Sequence, residues 1–356
     1  ASRPLKLLIS FIAMVFFGLG NKVFQKVMTI PMKNYPFFLN LYTTLIYIPV
    51  SFAYIFPMLW AGRISAAERA VPQRTFIVMG LLDGIASLMQ VYAVTKIASG
   101  SLLILLSQSA IPISMVISRL LLKTTYSVMQ YFGAVVVMVG ISVVLYPDLA
   151  HPDGSNDGET TPLQTVLWSG VMMLSCLPMA LSSVYKEQAL ADVDMDAVYL
   201  NGYIAIYQFL SLIPASIPAA YAQGMGLEEI PQSLHDGFEC YIGHNTVTNA
   251  TNPYDNDNCE TAPFDVNVYL CFNIMYNLLM ILILKYGSAN ILFLALTVMV
   301  PLGNFAFALP WVPGHQVLGP NDYAGLFTIM AGLVAYRFAG PLLACCSGKG
   351  DKVPEL

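Results

Sequence analysis

Ten apolar runs of about 20 residues leave this chain few ways to fold. They cover about 5–30, 37–60, 75–96, 99–122, 127–147, 163–187, 196–221, 266–285, 287–310 and 321–343. Each is long enough to cross a bilayer core of roughly 30 Å as a helix. The expected fold is therefore an all-α membrane protein with ten transmembrane helices. Charged residues make up only 10% of the chain, against roughly 25% in an ordinary soluble domain, and they sit in the connectors. The first run is too long and too rich in lysine to be a cleaved signal peptide. The chain begins at Ala1, which leaves a removed leader open. The net charge of -5 gives no reason to expect a nucleic-acid partner.

The signs of the connector charges predict an orientation. With an even number of spans, one side receives 12 of the 16 Lys and Arg residues, and only Lys22, Lys26, Lys33 and Lys96 fall to the other side or within the membrane. The positive-inside rule puts both termini in the cytosol. The opposite, luminal face is acidic. Asp148, Asp153, Asp157 and Glu159 lie in one connector there, and a second carries Glu228, Glu229, Asp236, Glu239, Asp255, Asp257, Glu260 and Asp265.

Two halves are legible. Lys96-Ile-Ala-Ser99 runs on apolar residues to Pro112, and Lys285-Tyr-Gly-Ser288 does so to Pro301. The following spans agree as well: Tyr131-Phe-Gly133 with Gly140, against Tyr323-Ala-Gly325 with Gly332. These agreements predict a 5+5 inverted repeat, the architecture of alternating-access carriers with substrate near the midplane. The first repeat is 1–147, followed by a connector at 148–162. The second repeat is 163–343 and includes a structured luminal loop, 222–265, between spans seven and eight. Residues 344–356 form a cytosolic tail. The loop holds Cys240 and Cys259, which are either a disulfide, favoured in an oxidising compartment, or two free thiols. It also holds the N-glycosylation sequon Asn249-Ala-Thr251.

Ionisable groups at bilayer depth cost several kcal/mol unless they line a cavity or find a partner. Asp83 lies nine residues after Arg74, about 13 Å along a helix and so near mid-membrane. It reads as a substrate or proton site, or as half of a structural salt bridge, with Lys22 the candidate partner. Lys22 either faces a cavity or snorkels to the interface. Gln108, beside Ser107 and Pro112, marks a helix that lines a cavity. Asn201, Tyr207 and Gln208 decorate the seventh span, and Asn273, Tyr276 and Asn277 the eighth; these are substrate contacts or hydrogen-bonding glue between helices. Glu187 next to Lys186 reads as a surface ion pair. The sequence offers no phosphate-cradling loop, no hydrolase constellation and no metal-ligand spacing, so the expectation is a non-enzyme without cofactor.

Several segments resemble the chloroquine-resistance-transporter family of the drug/metabolite transporter superfamily. They are Asn21-Lys22 with Lys33-Asn-Tyr35, Leu82-Asp83, Gln108 through Ile111-Pro112-Ile113, Tyr131-Phe-Gly-Ala134 and Leu200-Asn201 with Gln208. Gly237-Phe-Glu-Cys240 with Gly243-His-Asn-Thr-Val247, and Phe272-Asn-Ile274 with Asn277, extend the likeness. The resemblance implies a ten-span carrier of small organic solutes. In parasite members the position matching Lys22 controls entry of cationic drugs into a negatively charged cavity, with proton coupling out of an acidic vacuole. Plant members look like glutathione carriers of plastid envelopes. Tyr276 stands where parasite members carry an acid, so the cavity here is expected to be less negative and thiol peptides gain weight as substrates. Glu187 matches a family acid and becomes a second proton-coupling candidate.

The expected function is a secondary active transporter of glutathione-like thiol peptides, short peptides, amino acids and cationic drugs. It would be a proton-coupled monomer in a vacuolar, endolysosomal or plastid-envelope membrane. The alternatives are an antiporter of phosphorylated sugars or nucleotide sugars and, more remotely, a receptor or channel-like scaffold.

Overall fold

The computed structural model describes residues 3–347 apart from 98, 122, 124, 151–161, 193–194, 223–225, 249–255, 287–288, 311, 313–314 and 316–317. The Asn249 sequon and most of the 148–162 connector lie outside the described residues. Thirteen α-helices follow one another, and no strand occurs among the described residues. They are α1 (Arg3–Val27), α2 (Pro36–Trp60), α3 (Ala66–Arg69), α4 (Gln73–Lys96), α5 (Gly100–Ser107), α6 (Ala110–Leu121) and α7 (Val128–Ala150). After these come α8 (Pro162–Asp192), α9 (Ala197–Ala222), α10 (Ile230–Tyr241), α11 (Ala262–Tyr286), α12 (Ala289–Phe307) and α13 (Pro320–Ser347). Among the described residues seven segments are long and apolar enough to cross a membrane. They come from α1, α2, α4, α5 with α6, α7, α8 and α9. Helices α11, α12 and α13 occupy the three remaining predicted intervals.

Local signals set the element ends. Pro36 opens α2, where a missing N–H costs nothing. Ser65 and Glu68 form a reciprocal capping box on α3. The Ser99 side chain caps α5 by accepting from Leu102 N–H. The fourth span is broken at Gln108–Ser109. There Gln108, Ser109 and Ile111 donate three residues back, to Leu105, Leu106 and Gln108. Pro112 has no N–H for the Gln108 carbonyl, so Ile111 takes that acceptor and the turn tightens.

The chain divides into two compact units, each assembled from both halves of the sequence. Unit 1 comprises 1–27, 96–173 and 268–356; unit 2 comprises 28–95 and 174–267. In unit 1, Met14, Tyr276, Leu279, Ile283, Ala295 and Met299 form an apolar core. In unit 2 the core gathers Ile55, Phe76, Met79, Tyr199, Leu200 and Ile204. Trp60, Leu120, Phe132 and Phe327 are exposed, as expected of helix faces that meet lipid.

The closest helix pair in unit 1 is α7 against α13, through four glycines. A Cβ on Gly133 would stand 2.6 Å from Gly332 O, and one on Gly332 would stand 2.8 Å from Gly133 O. Gly140 and Gly325 face each other in the same way, with 3.1 Å and 3.0 Å to the opposing carbonyls. Side chains at these positions would hold the backbones apart. The contact is antiparallel and self-complementary. In the matched segments Tyr131-Phe-Gly133 with Gly140 and Tyr323-Ala-Gly325 with Gly332, exchanging Gly133 for Gly325 and Gly332 for Gly140 turns one facing pair into the other.

Candidate functional site

In unit 2 the polar groups converge on α4. Gly80 and Gly84 lie one turn apart, and α9 packs directly on them: a Cβ at Gly80 would meet Tyr207 Cβ at 2.6 Å and Gln208 N at 2.7 Å. This approach brings Gln208 to the polar edge of α4, where Gln208 Nε2 donates to Ser87 Oγ at 3.3 Å. Asn40 Nδ2, from α2, donates to the same oxygen at 3.4 Å. Ser87 Oγ itself donates to Gly84 O at 3.0 Å. Asp83 is four residues before Ser87 and so on the same face of α4.

Asp83 is ion-paired. Lys186 Nζ of α8 lies 2.6 Å from Asp83 Oδ2, with the two side chains 29% and 17% exposed. Lys186 is thus a partner of Asp83 that the sequence reading did not name. Lys186 is also not an end-of-helix surface residue, because α8 continues to Asp192. It lies six positions inside that end, within reach of α4. Asn201, on the first turns of α9, is exposed. The side chain of Glu187 lies outside the described residues.

In unit 1 an amide ladder runs along α11. Asn273 Nδ2 donates to Tyr269 OH at 2.8 Å and to Asn21 Oδ1 of α1 at 2.9 Å. One turn on, Asn277 Nδ2 donates to Asn273 O and to Asn273 Oδ1, both at 2.9 Å. Gly18 and Gly20 make room for α11 against α1, since side chains there would collide with Tyr276 and Phe272. Asn21 is buried, and Lys22 beside it is half-buried. Tyr276, expected to contact substrate, is 9% exposed and packs in the apolar core with Met14 and Met299. The Gln108 amide is engaged by its own helix, donating to Ile104 O and to Ser107 Oγ, both at 3.1 Å. Lys26, one turn beyond Lys22, is buried and donates to Ile97 O at 2.6 Å.

The described residues of the 222–265 connector are anchored on the turn between α1 and α2. Cys240 and Cys259 form a disulfide. Asp257 is the hub, accepting from Val247 N–H at 2.8 Å, Asn34 Nδ2 at 2.9 Å, Tyr35 OH at 2.9 Å and Thr246 N–H at 3.0 Å. Burial pushes the Asp257 carboxyl up, but these donors outweigh it and hold the group below its ordinary value. Burial raises the Tyr35 hydroxyl, and the neighbouring Asp257 adds to that. Phe38 packs on Gly237 of α10, and Tyr42 of α2 donates to Tyr241 OH at 2.7 Å.

The chloroquine-resistance-transporter-like family matches residues 7–336. The chain belongs to that family. It is 34% identical over 332 residues to the chloroquine resistance transporter of Toxoplasma gondii, which covers 90% of this chain and 37% of the Toxoplasma protein. With Crt homolog 3 of Dictyostelium discoideum it shares 32% identity over 356 residues, 94% of this chain and 73% of that one. The chloroplastic protein CLT3 of Arabidopsis thaliana is 28% identical over 331 residues, 90% of this chain and 70% of that protein. Identity is thus higher to these two protist proteins than to the plant one.

The sequence reading gave no buried role to Lys186, in unit 2, or to Lys26, in unit 1. Lys186 was hidden because Lys186-Glu187 looks like the end of a span. Lys26 was hidden because a lysine at the end of a run reads as a headgroup contact. The signal for Lys186 is arithmetical: it is the lone cation between Thr124 and Leu284, and Asp83 is the lone carboxylate inside an early span.

Proposed function

We propose that the chain is a secondary transporter that couples protons to small carboxylate-bearing solutes, namely glutathione-like thiol peptides, short peptides and amino acids, by alternating access. The observation that carries this reading is the Asp83–Lys186 pair between two spans. Leaving one member of a buried pair uncompensated costs about 3–5 kcal/mol. Lys186 therefore needs one anion at a time. When a substrate carboxylate takes Lys186, Asp83 is left alone and takes a proton; when the substrate leaves, Asp83 releases the proton and re-forms the pair. One proton moves with each substrate carboxylate, and no unpaired charge crosses the membrane interior.

The polar groups around the pair supply selectivity. Gln208, Asn40 and Ser87 offer amide and hydroxyl groups along α4, suited to peptide bonds. Asn277, Asn273 and Asn21 form a second amide surface, in unit 1. Lys22 sets the charge of what enters, and Glu187 stays a second proton-coupling candidate. The self-complementary glycine contact of α7 and α13 supports a 5+5 inverted repeat, because two helices related by a two-fold axis meet through equivalent positions. The connector charges support cytosolic termini. The disulfide supports a lumen in an oxidising compartment, hence an organelle membrane.

The test is uptake into proteoliposomes. An inward proton gradient is expected to accelerate entry of labelled glutathione and dipeptides and leave sugar phosphates unmoved. Gradient-driven exchange of sugar phosphates, without peptide uptake, would overturn the proposal.

A further inference from the structure

Unit 1 carries a groove of about 700 Å³ between α6 and α7 that the amide ladder and Gln108 do not line. Its walls are apolar: Met115 and Val116 come from α6, and Val135, Met138 and Val139 from α7. The hydroxyl of Ser142, which also lines it, is already used within its own helix, donating to Met138 O at 3.0 Å. Polar side chains mark the ends, Tyr131 at one and Tyr146 with Asn321 at the other. From Tyr131 to Tyr146 the groove runs about 22 Å at ~1.5 Å per residue. One leaflet's hydrocarbon is about half of a ~30 Å core, so an extended acyl chain can lie wholly within it. Val116, Val135 and Val139 are more than half exposed, and both helices belong to membrane-spanning segments.

Cations mark the Tyr131 end. The Arg119 guanidinium lies over the Tyr131 ring, 5.4 Å from its centroid, and donates to the Tyr131 hydroxyl. Lys123 follows in the turn to α7. It is exposed and held at φ 55, a conformation uncommon outside glycine. The sequence contains no acidic residue between Asp83 and Asp148, and among the described residues Arg119 makes no ion pair. A planar guanidinium fixed on an aromatic ring is matched to a phosphate, which it binds in bidentate fashion. Basic pockets between membrane helices take anionic headgroups on this principle.

We propose that this groove is a binding site for an anionic phospholipid, with one acyl chain along α6 and α7 and the phosphate on Arg119 and Lys123. A choline headgroup would bring its own cation to these two, and a sterol would leave them unused. The proposal is independent of which solute is transported.

The test is native mass spectrometry of the full chain in micelles supplied with equimolar phosphatidylglycerol and phosphatidylcholine. One retained phosphatidylglycerol is expected, favoured by about five-fold or more, the ratio that a single cation near an anionic headgroup supports. Arg119→Gln with Lys123→Gln should bring the preference to about one. Val139→Trp, at an exposed position, should remove the adduct of either lipid while leaving the melting temperature unchanged. Equal retention of both lipids by the unaltered chain, an undiminished preference in the double variant, or displacement by cholesterol with no dependence on headgroup charge would each overturn the proposal.

Discussion

At the residue scale the decisive feature is that one lysine and one carboxylate answer each other across two helices. Lys186→Met should destabilise the protein, by less than the roughly 3–5 kcal/mol of a fully buried pair, because Asp83 loses its counter-charge while both side chains are only part-buried. Pairing Asp83→Asn with Lys186→Met should recover most of that loss, since both charges go together. Thermal unfolding of the unaltered chain and the two variants in one detergent reads the difference; equal melting temperatures for the single and double variants would show that the pair adds nothing to stability. Asp83 was legible in the sequence because a carboxylate nine residues into an apolar run has few explanations. Its partner was not, because composition does not say where a helix ends when its last two turns mix polar and apolar residues. Gln108 and Tyr276 carry a related ambiguity. A polar side chain inside a span can serve its own helix, as Gln108 does at the α5–α6 break, and a tyrosine can be mostly core, as Tyr276 is.

At the scale of elements, glycine placement decides which helices touch. The repeated Gly133/Gly140 and Gly325/Gly332 spacing was visible in the sequence, and in the folded chain the four glycines form one contact between α7 and α13. If the two helices are equivalent, Gly140→Leu and Gly332→Leu should cost similar stability. Gly170→Leu, where an added side chain meets nothing within 4 Å, should be near neutral. Melting temperatures check this; a cost confined to one of the two glycines would contradict the equivalence. The connector is a second such element. Its disulfide closes a loop with a separation of 19 residues, for which chain entropy gives about 3 kcal/mol. Replacing both cysteines by alanine should speed amide exchange across 240–259 and leave the α7–α13 contact protected.

At the scale of the whole molecule, the charges that fixed the membrane class also predict a pH response. Asp257 has its carboxyl below the ordinary value of 3.8. The stability it contributes is therefore present above that ordinary value and is lost as pH falls through the lower, folded-state value. The connector should stay anchored on the α1–α2 turn at the mildly acidic pH of an organelle and loosen only under stronger acid. Asp257→Asn should loosen it at neutral pH and flatten the acid response, as hydrogen exchange at Thr246 and Val247 would report. Ten apolar runs were legible because a bilayer demands them. The division into two compact units that interleave the sequence halves was not, because it depends on helix contacts that no linear pattern records. The most direct measurement is proton flux into proteoliposomes, followed with an internal pH dye when glutathione or a dipeptide is added outside. Substrate-driven acidification is predicted for the unaltered chain and its loss in Asp83→Asn, with that variant still folded; acidification that persists in Asp83→Asn would contradict the coupling role of the Asp83–Lys186 pair.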